Sequence, residues 1–282
     1  MKSNTTYREV LKWASSFLET CKREPFAAEL LLRERQDWSK TDVMLHLNEE
    51  IPSEVKHQLL KDVSDHVSGI PVQQIVGYGW FYDRKFKVTK DTLIPRPETE
   101  EIVDIFLKET STDQKLAVLD IGTGTGIIGI TIKKERPLFD VTATDLSSKA
   151  LKVAKENAES LSAEVRLLEG DLTEPVKKET FDVIISNPPY ISTDEVGYMD
   201  ESVLHYEPHL ALFAENNGLA IYQRLAKETP AILNPGGEIL LEIGFKQGKS
   251  VQEIFQQAFP KAEVAIGKDM SGNDRLIRVK TI

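Results

Sequence analysis

The feature that most constrains the fold is a glycine-rich loop between a short apolar strand and an apolar helix start. Residues 116–121 read as a buried strand, the sequence Gly122-Thr123-Gly124-Thr125-Gly126 follows directly, and apolar residues 127–130 come next. Glycines let the backbone turn sharply and approach a ligand closely, while the free N–H groups of a helix start face that ligand. This order of elements predicts a parallel α/β sheet with a nucleotide-like cofactor at the loop.

A second predicted strand, residues 141–144, ends at Asp145 about twenty residues after the loop. At the carboxyl edge of the sheet, its carboxylate could accept hydrogen bonds from both hydroxyls of a ribose. A phosphate-binding P-loop is excluded, because residues 126–128 read Gly-Ile-Ile where that loop needs Gly-Lys followed by Ser or Thr.

Two cofactors fit this spacing. The pattern Gly124-x-Gly126-x-x-Gly129, with Asp145 21 residues after Gly124, matches a dinucleotide fingerprint, so the spacing alone leaves NAD open. Asp120 favours S-adenosylmethionine, because a carboxylate at this point attracts an ammonium group and repels a pyrophosphate.

The tetrapeptide Asn187-Pro188-Pro189-Tyr190 ends another apolar run, residues 183–186. Neither proline has an N–H, and each fixes its own φ and restricts the preceding residue, so this turn is rigid and offers mainly acceptors. Those carbonyls and the amide oxygen of Asn187 suit a target that bears an NH2 group, either an exocyclic amine of a base or a side-chain amide. A proline-rich turn with no chemical role is the alternative interpretation of this motif taken alone.

Apolar residues at helical spacing predict a small helical bundle over residues 1–75, and Trp13 is expected in its core. Residues 76–96 are predicted as a β-hairpin linker, and residues 97–282 alternate helices and strands: a helix over 103–107, later helices near 147–160, 218–232 and 248–257, and strands over 165–168 and 238–243, with two more strands at the end. This alternation predicts an α/β fold with a doubly wound sheet.

The composition sets further limits on partners and location. The chain has 35 Lys and Arg against 45 Asp and Glu, a formal charge of −10, and no basic run that would bind nucleic-acid phosphates. We expect no membrane span and no signal peptide, hence a cytoplasmic protein with no membrane partner. A single cysteine, Cys21, and scattered histidines predict no disulfide and no metal site.

Taken in order, these motifs resemble those of the class I S-adenosylmethionine-dependent methyltransferases, which have a Rossmann-like doubly wound sheet. Within that superfamily, the chain resembles the bacterial peptide chain release factor glutamine methyltransferases over nearly its whole length. The further matching segments are residues 71–77, 94–100, 207–208, 211–213, 237–238, 241–244 and 272–275. Leu172 is a departure, since some members carry an aromatic residue there against the adenine.

The resemblance implies methylation of the glutamine in the Gly-Gly-Gln tripeptide of class I release factors, with S-adenosyl-L-methionine as donor and S-adenosyl-L-homocysteine as product. It implies that residues 1–75 recognise the protein substrate. The implied catalytic residues are Asn187, Pro188 and Tyr190; the substrate-binding residues are these and Pro189; the cofactor-binding residues are Asp120, Ile121, Gly122, Thr123, Gly124, Gly126, Asp145, Asp171, Leu172 and Asn187.

For the mechanism, we expect the Asn187 oxygen and the Pro188 carbonyl to accept hydrogen bonds from the two N–H groups of the target amide, while Tyr190 covers the amide plane. Three alternatives stay open. An adenine-N6 methyltransferase would use the same acceptors on a flipped base, although the acidic charge argues against it. A glutamine on a ribosomal protein is the nearest competing substrate, and a S-adenosylmethionine-binding regulatory module would have no need of the Asn187 amide.

Overall fold

The computed structural model of the protein describes residues 5–282, and the element bounds below refer to that range. The helices are α1 (Tyr7–Thr20), α2 (Ala27–Gln36), α3 (Lys40–His46), α4 (Ser53–Val67), α5 (Val72–Val76), α6 (Pro97–Glu109), α7 (Ile127–Glu135), α8 (Ser148–Ser160), α9 (Glu201–Tyr206), α10 (His209–Leu212), α11 (Glu215–Gly218), α12 (Ala220–Glu228) and α13 (Gly248–Ala258). The strands are β1 (Tyr78–Phe81), β2 (Arg84–Lys87), β3 (Ala117–Ile121), β4 (Asp140–Asp145), β5 (Arg166–Glu169), β6 (Phe181–Ser186), β7 (Leu233–Glu242), β8 (Glu263–Lys268) and β9 (Asp274–Lys280).

The chain divides into two compact units. The first contains residues 5–78 and 200–206, and the second contains residues 79–199 and 207–282. Each unit buries its own apolar residues. Helices α1, α2 and α4 share one apolar cluster, and the strands of the larger sheet contribute to two others.

In the first unit, α1 begins at a reciprocal cap. The Thr6 side chain accepts a hydrogen bond from the Glu9 backbone, and Glu9 Oε2 accepts one from Thr6 N at 2.8 Å. Such a cap satisfies N–H groups that the helix start leaves without partners. The apolar face of α1 then packs into the bundle through Val10, Ala14 and Leu18.

Trp13 corrects one expectation from the sequence. Its side chain is 50% exposed and stacks on Phe17 with ring centroids 5.2 Å apart. At about 100° per residue, Trp13 lies to one side of the stripe formed by Val10, Ala14 and Leu18, which faces the bundle core.

A hairpin of β1 and β2 follows α5, as the sequence predicts. The larger sheet of the second unit has the strand order β5-β4-β3-β6-β7-β9-β8. Strands β5, β4, β3, β6 and β7 are parallel, and β9 is antiparallel to both β7 and β8. Apolar residues bury both faces of the parallel strands under helices, which is the usual arrangement for a parallel sheet.

Two predicted helices differ from the structure at their ends. Helix α6 begins at Pro97 rather than near residue 103, because proline is well tolerated at the first helical position. Helix α12 ends at Glu228, and a short 3-10 turn around Pro230 continues to Ala231. Across residues 5–282, no helix combines the length and the apolar character that a membrane crossing requires.

Candidate active site

A cavity opens at the carboxyl edge of the parallel strands, in the second unit. Strand β3 lies between β4 and β6, so the connections that leave these strands diverge to opposite sides and create a crevice. The empty space measures about 1100 Å³, part of it open to solvent. Its lining includes Thr99, Ile121, Gly122, Thr123, Gly124, Asp145, Asp171, Leu172, Asn187, Pro188, Pro189, Pro208, Leu210 and Ala211.

The glycine loop forms the floor of this cavity next to β4. The N–H groups of Gly122 and Thr123 donate to the carbonyl of Thr144 at 2.9 and 3.0 Å, which fixes the loop against the neighbouring strand. Gly122 and Gly124 have φ values of +71° and +57°, a conformation that disfavours side chains. A Cβ at either position would meet no atom within 4 Å, so the loop presents bare backbone to open space.

Gly126 has a different role in the same loop. Its φ is +84°, and a Cβ here would lie 2.6 Å from Ile130 Cδ1 and 3.3 Å from Ala154 Cβ. The positive φ of Gly126 and the close approach of Ala154 favour glycine at this position, and Gly126 is not part of the cavity lining among the described residues.

Asp145 lies at the end of β4 and lines the cavity. Its Oδ2 accepts a hydrogen bond from Gly124 N at 2.8 Å, and its Oδ1 accepts one from Ser147 N at 2.8 Å. Burial raises the pKa of Asp145 above its usual value, and these two hydrogen bonds oppose the rise. Each carboxylate oxygen keeps a further acceptor site, so the side chain has the capacity that ribose hydroxyls require.

Asp120 is placed beneath the loop and does not line the cavity among the described residues. The side chain is fully buried, and its Oδ2 accepts hydrogen bonds from Thr123 Oγ1 at 2.5 Å and Gly129 N at 3.0 Å. Its Oδ1 has no hydrogen-bond partner among residues 5–282. Burial, with a smaller contribution from the charge of Asp145, raises the pKa of Asp120 to about 7.

Asp171 and Leu172 form the far wall of the cavity, after β5. Asp171 accepts two hydrogen bonds from the guanidinium of Arg224, at 3.1 and 2.9 Å. Leu172 has a φ of +48°, which is rare for a residue with a branched side chain, and its carbonyl accepts a hydrogen bond from Thr144 Oγ1 at 3.0 Å. These bonds hold both predicted cofactor residues in defined positions.

The opposite end of the cavity carries the predicted acceptor motif. Asn187, Pro188 and Pro189 line it directly after β6. Asn187 Nδ2 donates a hydrogen bond to Thr99 Oγ1 at 2.9 Å, and Thr99 is part of the same lining. The motif is therefore joined to the first turn of α6.

Glu242 completes this end of the site from β7, beneath the cavity surface. Its Oε2 accepts a hydrogen bond from Thr99 Oγ1 at 2.5 Å, and its Oε1 accepts one from the Tyr190 hydroxyl at 3.3 Å. Burial raises the pKa of Glu242 to about 7, against the hydrogen bond from Thr99 and the positive charge of Arg275. Burial also raises the pKa of Tyr190.

Tyr190 is the one predicted catalytic residue whose side chain turns away from the cavity lining, among the residues the structure describes. The phenol joins the buried network at Glu242, and the Tyr190 carbonyl accepts a hydrogen bond from Gln247 Nε2 at 2.9 Å. A contact between Tyr190 and the target amide therefore stays a prediction.

A third wall comes from residues 208–211, and one buried carboxylate fastens it. Glu207 accepts a hydrogen bond from Ile94 N at 3.0 Å and forms an ion pair with Arg96. The segment around Arg96, which the sequence singles out without assigning a role, is thus tied to the wall that contains Pro208 and Leu210.

Sequence reasoning did not assign Thr99, Glu242 or Arg224 to the site. Thr99 and Glu242 lie within segments 94–100 and 241–244, which carry the family resemblance, but neither segment indicates that the two side chains meet. Arg224 is an exposed mid-helix residue next to the exposed Gln223, a setting that looks like an ordinary solvated face.

Comparisons with known proteins match both units. The family model described as Methyltransferase small domain matches residues 99–204, and the one described as PrmC N-terminal domain matches residues 9–77. A crystal structure of a methyltransferase from Pyrococcus furiosus has a TM-score of 0.53 at 21% identity, covering 82% of this chain and 100% of that one, and supports the fold alone. The predicted class I S-adenosylmethionine-dependent methyltransferase fold is confirmed.

Two relatives are similar over nearly their whole length. The release factor glutamine methyltransferase of Enterococcus faecalis is 48% identical over 270 residues, which cover 96% of this chain and 97% of that protein. The protein of the same name from Bacillus subtilis is 43% identical over 278 residues, 96% of each chain. The chain therefore belongs to the release factor glutamine methyltransferase family of S-adenosylmethionine-dependent enzymes.

Proposed function

We propose that the protein transfers a methyl group from S-adenosyl-L-methionine to the side-chain amide nitrogen of the glutamine in the Gly-Gly-Gln tripeptide of class I release factors. The observation that carries the proposal is the hydrogen bond from Asn187 Nδ2 to Thr99, at 2.9 Å. With its nitrogen engaged there, the Asn187 amide keeps its oxygen for a target N–H. The names of the relatives supply the kind of target, a glutamine of a release factor.

The residues around the glycine loop fit the cofactor. Gly122 and Gly124 leave room for close approach of a ligand to the backbone, and the Asp145 carboxylate can accept the ribose hydroxyls. Asp120 Oδ1, buried without a partner among the described residues, is the acceptor proposed for the ammonium group of the methionine part. Because Asp120 lies beneath the loop and outside the cavity lining, this contact stays a prediction. Ile121, Thr123, Asp171 and Leu172 complete the proposed cofactor-binding set, and Gly126 contributes by letting the helix pack closely. The bound cofactor supplies a sulfonium methyl group.

Asn187 and Pro188 carry the chemistry of the proposal at the other end. An amide nitrogen is a weak nucleophile because its lone pair is delocalised into the carbonyl. The Asn187 Oδ1 and the Pro188 carbonyl would accept hydrogen bonds from its two N–H groups. These bonds would direct the nitrogen lone pair along the line of transfer and favour its localisation on the nitrogen. Transfer would exchange the sulfur–methyl bond for a nitrogen–methyl bond, and the surplus proton would then leave to water or a carbonyl.

Positioning and fixed dipoles are sufficient for such a step. Well-oriented groups can contribute several kcal/mol to lowering a barrier, and preorganised acceptors about 3 kcal/mol more. No strong base is needed before transfer, because the amide nitrogen becomes acidic only once it is methylated. Pro189 keeps the turn rigid, and Tyr190 is proposed to meet the amide plane when the substrate is bound.

Residues 1–75 are proposed to recognise the release factor away from the chemistry. Ten Lys and Arg against twelve Asp and Glu give this part of the chain a charge of −2, which suits a protein surface better than a nucleic-acid backbone. Remote contacts of this kind raise the rate on the intact protein and leave a short peptide unaffected.

Mass spectrometry of a class I release factor incubated with the protein and methyl-labelled S-adenosylmethionine tests the proposal. We expect a single added methyl group on the tripeptide glutamine, and none on a release factor whose glutamine is replaced by alanine. A Gly-Gly-Gln peptide should be methylated with a far lower kcat/KM than the intact factor. Transfer to DNA or RNA adenine, or to a ribosomal-protein glutamine, with none to the release factor, would contradict the proposal.

A further inference from the structure

A chain of buried hydrogen bonds leads from the Asn187 amide away from the cavity. Asn187 Nδ2 donates to Thr99 Oγ1 at 2.9 Å, and Thr99 Oγ1 donates to Glu242 Oε2 at 2.5 Å. Thr99 and Glu242 are each only 1% exposed, so water does not compete for these groups. The chain links the end of β6, the first turn of α6 and the last residue of β7.

The direction of this chain follows from counting protons. A hydroxyl has one proton and can donate only one hydrogen bond, whereas an ionised carboxylate can only accept. Glu242 therefore accepts the one hydrogen bond that the Thr99 hydroxyl can donate. Toward Asn187, Thr99 has only lone pairs left, and only the N–H side of the amide can use them.

We propose that Thr99 and Glu242 are positioning residues that determine which end of the Asn187 amide faces the target. The inference rests on the proposed function, because the end left for the target is Oδ1, the acceptor that a glutamine NH2 requires. An Asn187 amide turned by 180° would present Nδ2 to that NH2, so that donor would meet donor and the target would lose its alignment.

Other groups around Glu242 act on its charge. The guanidinium of Arg275 from β9 and the hydroxyl of Tyr190 favour the carboxylate, and the carboxylate of Glu98 from α6 opposes it. The Tyr222 hydroxyl donates to the Glu242 backbone carbonyl at 2.7 Å. Burial outweighs the favourable groups and raises the pKa of Glu242 to about 7.

Protonation of Glu242 would remove the direction of the chain. A protonated carboxyl can donate to Thr99 Oγ1, which frees the Thr99 hydroxyl to donate its own proton to Asn187 Oδ1. In that orientation Nδ2 would face the target. Because a carboxyl with this pKa is ionised above about pH 7, the correct orientation should dominate there and decline as the pH falls below that value.

Three threonine variants test the hydroxyl. Thr99→Val preserves shape and removes the hydrogen bonds, and we expect kcat on the release factor to fall about tenfold, the effect of one buried hydrogen bond, with the cofactor Kd changed less than about threefold. Thr99→Ser restores the hydroxyl and should recover most of the turnover. Thr131→Val is the matched control, since Thr131 is buried and its hydroxyl has no partner among residues 5–282.

Glu242→Gln tests the charge. Glutamine can donate to Thr99 or accept from it, so kcat should fall about five- to tenfold at pH 8. In the unaltered protein, kcat should decline below about pH 7 as Glu242 is protonated, and we call this decline the acid limb of the pH profile. The acid limb should be absent from Glu242→Gln. Normal kcat in Thr99→Val, or an acid limb unchanged in Glu242→Gln, would overturn the inference.

A measurement without substrate separates this inference from the proposed function. By NMR, the side-chain NH2 of Asn187 should exchange its hydrogens about tenfold faster in Thr99→Val than in the unaltered protein or in Thr131→Val, because its acceptor is gone. Equal exchange in all three would contradict the inference even if release-factor methylation is observed. Failure of the unaltered protein to methylate any release factor would contradict only the proposed function.

Discussion

A buried carboxyl with a pKa of about 7 lies beneath each end of the cavity, Asp120 at one and Glu242 at the other, yet the hydrogen bonds of the two differ. At the cofactor end, Asp120 has one oxygen hydrogen-bonded twice and the other without a partner among the described residues. At the target end, both oxygens of Glu242 are hydrogen-bonded within the protein. The comparison shows that Asp120 keeps one oxygen without a protein partner in this part of the chain, whereas both oxygens of Glu242 hold neighbouring side chains.

The largest effect is expected at the target end. Asn187→Ala should lower turnover by about 10² or more while cofactor affinity stays within a few-fold of the unaltered protein, because only the target loses its acceptor. Steady-state kinetics and calorimetry check the two parts. Asn187→Asp preserves shape and adds charge, which makes it a sharper test of the same point. Near-normal turnover in Asn187→Ala would mean that this end of the cavity does not orient the nucleophile.

At the cofactor end, Asp145→Ala should weaken S-adenosylmethionine binding by about 1.5–3 kcal/mol, because it removes charged acceptors from the ribose hydroxyls. Calorimetry measures the change, and thermal unfolding checks that the variant stays folded without the hydrogen bonds from Gly124 and Ser147 to Asp145. Asp140→Ala, an exposed acid at the other end of β4, is the matched control and should bind normally. Unchanged affinity in a folded Asp145→Ala protein would remove Asp145 from the cofactor site.

The buried carboxyls should also leave a signature in the pH dependence of stability. Between its usual pKa and about 7, folded Asp120 holds a proton that the unfolded chain has released, so the free energy of unfolding falls as the pH rises. Asp120→Asn should remove about 2 kcal/mol of this fall between pH 5 and 7. Glu242→Gln should remove a similar share, since the pKa of Glu242 is raised in the same direction.

Chemical denaturation at several pH values measures both slopes without cofactor. Glu109 does not interfere, because its pKa is lowered to about 2 by Arg278 and its contribution changes below this window. Asp145, whose pKa is also raised, adds a slope of the same sign in every variant. A slope as steep in the double variant Asp120→Asn with Glu242→Gln as in the unaltered protein would therefore show that neither carboxyl holds a proton near neutral pH in the folded protein.

The smallest effect is expected from Arg224→Ala, on the wall that contains Asp171. The ion pair is 44% and 41% exposed at its two ends, and pairs of this kind contribute at most about 1 kcal/mol to stability. We expect the unfolding midpoint to change by less than a few degrees and cofactor affinity to fall only a few-fold. A loss of affinity as large as that of Asp145→Ala would mean that Arg224 orients Asp171 more strongly than its exposure suggests.

The sequence predicted the fold and the loop order because those signals are local. The apolar run before Gly122, the acid at the end of β4 and the proline turn after β6 each lie within a few residues of the element they mark. The strand order then brings them to one edge of the sheet.

Long-range pairs could not be predicted in this way. Thr99 and Glu242 are separated by 143 residues, and no periodicity relates the start of a helix to the end of a later strand. Trp13 was misplaced for a related reason, since an apolar residue at the border of a helical stripe can face either way. The neighbours of an element, which decide such cases, are set by tertiary packing.

The rigid turn after β6 offers mainly oxygen acceptors, because Pro188 and Pro189 have no N–H and the nitrogen of Asn187 donates to Thr99. A glutamate in place of the target glutamine would bring two oxygens against these acceptors and no hydrogen to share between them. A release factor that has undergone deamidation at its tripeptide should therefore be rejected at this turn. The site would then distinguish chemically intact substrate from aged substrate as well as one side chain from another.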